Sequence, residues 1–235
     1  MAISIYSPLG VQKYPVKLYA CIALTVLCWG YSPIGVHSAL MAYRPEQIAL
    51  LRFLLASLFL LVLVAKKGIQ PLKIKDLPAL GILGIFSVTL HHLLINAGQQ
   101  YVSAVASSIL SQSIPLFTLL ISAFVLKQRI QLKQWGCILL GLVGAVLVIT
   151  ADLGVEPPSL YSLFIVLAAV AWAIYFNLYK KFALNYDVLS MMCYVIWLGT
   201  LPLLLFSPHL PQAVMAASWQ ANLSIVLLGI FPSAL

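Results

Sequence analysis

Three side chains in one apolar stretch carry the first chemical signal: His92, Asn96 and Gln99 or Gln100 recur at intervals of three or four residues. On a helix that spacing lines up one face, and the residues around it are Leu, Ile, Val and Ala. Polar groups in apolar surroundings need partners, so such a stripe lines a cavity or hydrogen-bonds between helices. Gln99 and Gln100 are expected near the end of their helix, where water reaches them, and His92 and Asn96 deeper. His91 points roughly 100° away on a helix, so the adjacent pair makes a poor two-ligand metal site. No GxSxG, HExxH, P-loop or aspartate-rich motif is present, so no catalytic residue, metal or other cofactor is expected and the chain does not read as an enzyme.

The other candidates are single residues placed against type. Trp usually sits at headgroup level, as Trp135 and Trp219 do near the ends of their apolar runs. Trp29 and Trp172 fall about 11 and 13 residues into theirs, near the middle of a roughly 30 Å core. There they either line an amphipathic cavity or pack against neighbours. Arg52 is the one charge inside an apolar run, and a cation in that position needs carbonyls, water, an interfacial carboxylate or an anionic ligand. Ser107, Ser111, Pro115, Thr118 and Ser122 follow one face of another run, flanked by Gln112. Small hydroxyl residues serve close helix packing. Pro115 frees the carbonyl of Ser111 and is a candidate hinge, as is Pro33 in its own run. Ser111, Gln112 and Tyr175 join Trp29, His91, His92, Asn96 and Trp172 as the candidate substrate-binding set.

The elements that must hold these residues follow from composition. Of 235 residues, 63% are hydrophobic and 8% charged, with a mean hydropathy of +1.07. Soluble domains carry about 25% charged residues, so the chain is an all-α integral membrane protein with room for about eight spans of about 20 residues each. The expected spans run over 18–42, 45–65, 77–101, 103–126, 134–151, 159–179, 188–206 and from 222 onward. Cys21, Cys28, Cys137 and Cys193 all fall within such runs and read as small buried hydrophobes. The net charge of +8 comes from short loops between apolar runs, which excludes a nucleic-acid surface and instead orients the chain. With the N-terminus in the cytoplasm, eleven of thirteen basic residues lie inside, among them Lys13, Lys17, Lys66, Lys67, Arg129, Lys180 and Lys181, while Asp152 and Glu156 fall outside.

The chain also repeats itself. LGIFSVTL begins at Leu83 and LGIFPSAL at Leu228, an offset of 145. At an offset of 143, Leu24 aligns with Leu167, Trp29 with Trp172, Tyr43 with Tyr186 and Leu55 with Leu198. Two near-equal offsets in the same order indicate a duplication, with a first repeat of five spans over 17–151 and a second over 159–235. An odd number of spans makes the second copy enter from the opposite face, the inverted-repeat helical bundle of many secondary transporters. Leu235 corresponds to Leu90, so the second copy is expected to be truncated in its third helix, about eight of ten transmembrane helices in a protein of about 295 residues.

CWGYSPIGVHSAL, RPEQIALLRFLLA and ASSILSQSIPLFTLLISAFVLKQRIQLKQWGCILLGLVGAVLVI resemble the EamA type of the drug/metabolite transporter superfamily. The resemblance runs over nearly the whole chain after residue 17. It implies a ten-helix carrier of small metabolites, such as amino acids or related compounds, working by alternating access in the cell membrane, a bacterial inner membrane being the expected one. The partners are then a small-molecule substrate and the lipid bilayer, with homodimerisation left open and no nucleic acid. The rival readings are a non-transporting fragment or assembly partner and, more remotely, an intramembrane enzyme. Glu46, Asp76, Asp152, Glu156 and Asp187 all lie in loops or at helix ends. The absence of an acid inside a visible span favours facilitation or exchange over proton coupling, with a coupling acid in helices beyond Leu235 or a relay through His91 and His92 as the alternatives.

Overall fold

The computed structural model describes residues 16–125, 127, 131–151, 160–182 and 184–234. Lys13, Arg129, Asp152, Glu156, Pro158 and Leu235 lie outside the described residues. All regular structure among the described residues is helical: α1 (Val16–Ala39), α2 (Pro45–Lys67), α3 (Leu77–Gly84), α4 (His91–Gln99), α5 (Ala104–Ser111), α6 (Ile114–Val125), α7 (Leu132–Ala151), α8 (Leu160–Phe182), α9 (Val188–Thr200), α10 (Leu210–Ala216) and α11 (Trp219–Ala234). Among the described residues, six stretches are long and apolar enough to cross a membrane: Leu18–Ala39, Pro45–Lys67, Ile74–Gln99, Ala104–Val125, Leu160–Phe182 and Val188–Phe206. The chain is an all-α integral membrane protein.

Local chemistry sets the helix ends. Pro45 occupies the first turn of α2, where its missing N–H costs nothing, and the Gln47 side chain accepts from the Arg44 N–H. Gly68, at φ 71°, ends that helix while its N–H bonds Val64 O at 2.8 Å, a conformation open to a residue without Cβ. Ser103 caps α5 and Asp187 caps α9 through side-chain oxygens. The expected fourth span divides at Gln112 and Ser113, just ahead of Pro115 in the first turn of α6. Pro33 lies within an unbroken α1.

Two interruptions shape the bundle centre. Between α3 and α4, residues Ile85–Leu90 wind as one π-helical segment, a local widening that recurs at functional sites. In α11, Pro232 has no N–H for Leu228 O, and the Ser233 hydroxyl donates to that carbonyl at 2.8 Å instead. At the offset of 145, Ser87 of the π segment corresponds to Pro232.

Packing follows the same offsets. α3 lies on α9, where a Cβ on Gly84 would come within 2.6 Å of Gly199 N and Val195 O. α11 lies on α2, where a Cβ on Gly229 would come within 2.7 Å of Leu55 Cβ and 3.0 Å of Arg52 O. Subtracting 143 from 195 and 199 gives 52 and 56, so the contacts with Val195 and Arg52 correspond, and Gly199 matches the neighbour of Leu55. Tyr43, Ile48 and Ile225 share one buried cluster, and Leu80, Met191 and Tyr186 share another. Small residues permit these close approaches, which matter where lipid supplies no hydrophobic drive.

Candidate functional site

A cavity of about 660 Å³ lies where these interruptions meet, within the 300–1,000 Å³ usual for small-molecule sites. α1 contributes Cys21, Leu24, Thr25, Cys28 and Trp29; α2 contributes Phe53; the π segment and α4 contribute Ser87, Val88 and His92. From the second half of the chain come Trp172, Tyr175, Phe176 and Tyr179 of α8, residues of α9 from Val188 to Ile196, and Phe231, Pro232 and Ser233 of α11. No lining residue carries a carboxylate. The cavity thus sits between the two halves of the chain and is bounded largely by aromatic rings and methionines.

Its polar side chains converge at the inner end. The His92 ring lies 4.6 Å from Phe53, 4.8 Å from His91 and 6.1 Å from Trp172, centroid to centroid, and its Nδ1 has no hydrogen-bond partner. Ser233 accepts a hydrogen bond from Arg52 Nε. Arg52 itself lies one layer behind the wall, 4% exposed, with its guanidinium carbon 5.8 Å from the Phe53 ring. At the other end the wall reaches exposed Val188 and Tyr179 beside Lys180.

Of the expected substrate-binding residues, the structure brings Trp29, His92, Trp172 and Tyr175 to this cavity. The others lie elsewhere. His91 donates from Nδ1 to Ala168 O at 2.8 Å and packs 4.5 Å from Trp172, pinning α4 to α8 from behind the wall. Asn96, fully buried, donates to Pro45 O at 3.1 Å. The Ser111 hydroxyl bonds back to Ser107 O at 2.8 Å, and Gln112 is exposed at the break before α6. Gln99 corrects the expectation of a wet position: it is 2% exposed and donates to Ser107 Oγ at 2.8 Å, because Ala104–Ser111 folds back over it. Gln100 is exposed. Among the cysteines, Cys28 and Cys193 are buried, whereas Cys21 and Cys137 are exposed, since helices facing lipid or a cavity have no protein cover for small apolar side chains.

Ser87, Ser233, Phe53, Tyr179, Met191 and Met192 line the cavity without having stood out in the sequence. A signal for Ser87 was present: within the repeated octapeptide, the strings LGIFS and LGIFP differ at Ser87 and Pro232, the position where each helix departs from regularity.

Beyond the cavity the two ends of the bundle differ. At the Arg44 end, Tyr31 donates to Ser224 at 3.4 Å, Ser224 donates to Ser38 at 3.2 Å, and Asn96 joins α4 to the start of α2. Gly98 lets Ile165 press against α4 there. Tyr43 donates to Asn222 at the same end. At the Lys180 end, Tyr186 donates to Asp76 Oδ2 at 2.9 Å and accepts from Lys73 N. Partial burial, together with the Asp76 carboxylate, pushes this phenol above its ordinary pKa and keeps it protonated.

Comparison with known proteins agrees with this architecture. The EamA-like transporter family model matches residues 17–150. The Uncharacterized transporter YdfC of Bacillus subtilis is 31% identical over 95% of this chain and 73% of its own length. The Probable terminal-alkyne amino-acid exporter of Streptantibioticus cattleyicolor is 28% identical over 93% of this chain and 73% of its own. A solved crystal structure at 18% identity superposes with a TM-score of 0.60, covering 94% of this chain and 76% of that one, a likeness of fold alone.

Proposed function

The chain belongs to the EamA-like transporter family and is a multi-pass cell-membrane transporter, and from that premise we propose that it carries small amphipathic metabolites, such as amino acids or related compounds, by alternating access. The observation that carries this reading is the cavity of about 660 Å³ between the two halves of the chain, reaching the Lys180 end and closed off by hydrogen bonds at the Arg44 end. A relative named as an amino-acid exporter supports the substrate class. The two-repeat reading, 17–151 and 159–235, is supported by corresponding contacts at Gly84 and Gly229.

In this reading Trp29, Phe53, Trp172 and Tyr175 cover the apolar part of the solute, Ser87 and His92 meet its polar part, and the Lys180 end faces the cytoplasm. The test is saturable flux of an aromatic amino acid in vesicles carrying the full-length protein. Trp172→Ala is expected to lower flux about tenfold or more beyond any loss of folded protein, since an aromatic contact contributes about 0.5–1.5 kcal/mol beyond its buried area. Flux losses that only track folded protein would make Trp172 a packing residue. For orientation, a single cysteine at Gly68 is expected to resist an impermeant reagent added outside intact cells, and labelling there would reverse the topology.

A further inference from the structure

Behind the inner end of the cavity lies a cation with no counter-ion among the described residues. Arg52 has five N–H donors, and its only hydrogen bond among the described residues runs from Nε to Ser233. It makes no ion pair there, and the acidic residues of the surrounding spans, Glu46 and Asp76, stand at span ends. Beside it, His92 is 7% exposed, lies on the cavity wall and leaves Nδ1 without a partner. Buried charges and polar atoms are costly unless matched, so both features call for a partner that the described residues do not provide.

The backbone of α11 prepares the same spot. Because Pro232 leaves Leu228 O free, the Ser233 hydroxyl proton is committed to that carbonyl, and the Ser233 oxygen is turned toward Arg52. At the corresponding position of the other half, Val195 stands where Arg52 stands here, by the offset of 143. The positive charge is therefore confined to one side of an otherwise paired arrangement. Aromatic walls alone would also suit a cationic amine through their ring faces, but an uncompensated guanidinium one layer behind the wall repels such a group and attracts an anion.

Resting on the transport reading above, we infer that the inner end of the cavity, where His92 stands on the wall in front of Arg52, is a carboxylate subsite, and that the transported solute is an amphipathic carboxylate or amino acid entering acid group first. Its carboxylate accepts from the His92 ring N–H and is drawn to that end by the charge of Arg52 one layer behind the wall, while its apolar body lies between Trp29 and Trp172. Arg52 also positions Ser233, so its charge and its hydrogen bond act on the same wall.

The test uses two probes with one ring and opposite charge, 3-phenylpropionate and phenethylamine, titrated at neutral pH into purified full-length protein and followed by calorimetry. The carboxylate is expected to bind at least tenfold more tightly than the amine. Arg52→Gln is expected to reduce that ratio about tenfold, whereas Arg52→Lys, which keeps the charge, retains most of it. The ratio is a property of the folded molecules and does not depend on how many survive the substitution, and the comparison in the unsubstituted protein needs no variant at all. Equal binding, tighter binding of the amine, or a ratio untouched in Arg52→Gln would overturn the carboxylate subsite while leaving a transport cavity in place. Binding of neither probe at millimolar concentration would overturn the subsite too, and saturable flux in vesicles would then show whether the transport reading survives it.

Discussion

The Arg44 end and the Lys180 end of the bundle are built from corresponding residues, yet one is sealed and the other gives onto the cavity. Tyr43 bonds Asn222 at the first, and Tyr186, 143 residues later, bonds Asp76 at the second. Ile48 with Ile225 and Met191 with Leu80 fill equivalent clusters. The bonds of Tyr31, Ser224 and Ser38 have no such echo: adding 143 to 31 and 38, and subtracting 145 from 224, gives Ile174, Lys181 and Ala79. In the alternating-access reading proposed above, contacts with a counterpart hold each half to the other in any state. Contacts without one then belong to the closure of a single end, and that distinction makes the asymmetry experimentally accessible.

The largest effect is expected where paired contacts are closest. Gly84→Ala places its new methyl against backbone atoms of Gly199 and Val195 at 2.6 Å, and neither can move without separating α3 from α9. Gly229→Ala meets Leu55 Cβ at 2.7 Å and Arg52 O only at 3.0 Å. Both overpack, with costs of about 1–3 kcal/mol or more, and Gly84→Ala is expected to lose more folded protein on detergent extraction, as read by size-exclusion chromatography. A greater loss for Gly229→Ala would break the claim that the α3–α9 contact is the tighter of the pair.

A smaller effect, of a different kind, is expected for the unpaired bonds. Tyr31→Phe combined with Ser224→Ala removes two neutral hydrogen bonds, each contributing about 0.5–1.5 kcal/mol, enough to shift a two-state population severalfold. The native Cys28 lines the cavity, and Ala97 lines the hollow at the Arg44 end. Alkylation of Cys28 should slow, and that of a cysteine at Ala97 should quicken, each measured alone in an otherwise cysteine-free chain. Tyr43→Phe, by contrast, should lower thermal stability by about 1 kcal/mol and leave the ratio of the two rates unchanged. If Tyr43→Phe moves the ratio as far as the double variant does, paired and unpaired contacts cannot be told apart by function.

The difference between the halves also explains what could be read in advance. Helix positions were legible because apolar runs end at residues with strong terminal chemistry, Pro45, Gly68 and Asp187 among them. Trp29, Trp172 and His92 stood out because large or polar side chains are unusual near a bilayer midplane. The π segment at Ile85–Leu90 was not legible, since no residue type marks it and tertiary packing against α9 and α8 decides it. Nor was the diversion of His91 and Asn96 to the carbonyls of Ala168 and Pro45. A polar stripe on one helix says that partners are needed, and only the neighbouring helices say whether those partners are backbone or cavity.

The smallest expected effect separates the two ends by pH. Asp187 caps α9, accepting from the Ser190 N–H at 2.9 Å and from the Ser190 hydroxyl at 2.7 Å. These bonds favour the ionised carboxylate and hold its pKa below the ordinary value. A depressed folded pKa contributes stability above the unfolded value and loses it as pH falls through the folded one, so the cap should weaken only below about pH 4, the ordinary range for Asp. The corresponding position at the other end is Arg44, where the Gln47 amide completes the cap and does not titrate. Protection of the Ser190 amide from hydrogen exchange, corrected for intrinsic pH dependence, should therefore fall on acidification while that of Ile48 stays level. Asp187→Asn keeps an oxygen for the Ser190 N–H but cannot be protonated in this range, so it should flatten the Ser190 profile. An acid-induced loss that persists in Asp187→Asn, or appears equally at Ile48, would place the pH response outside the cap and remove this distinction between the ends.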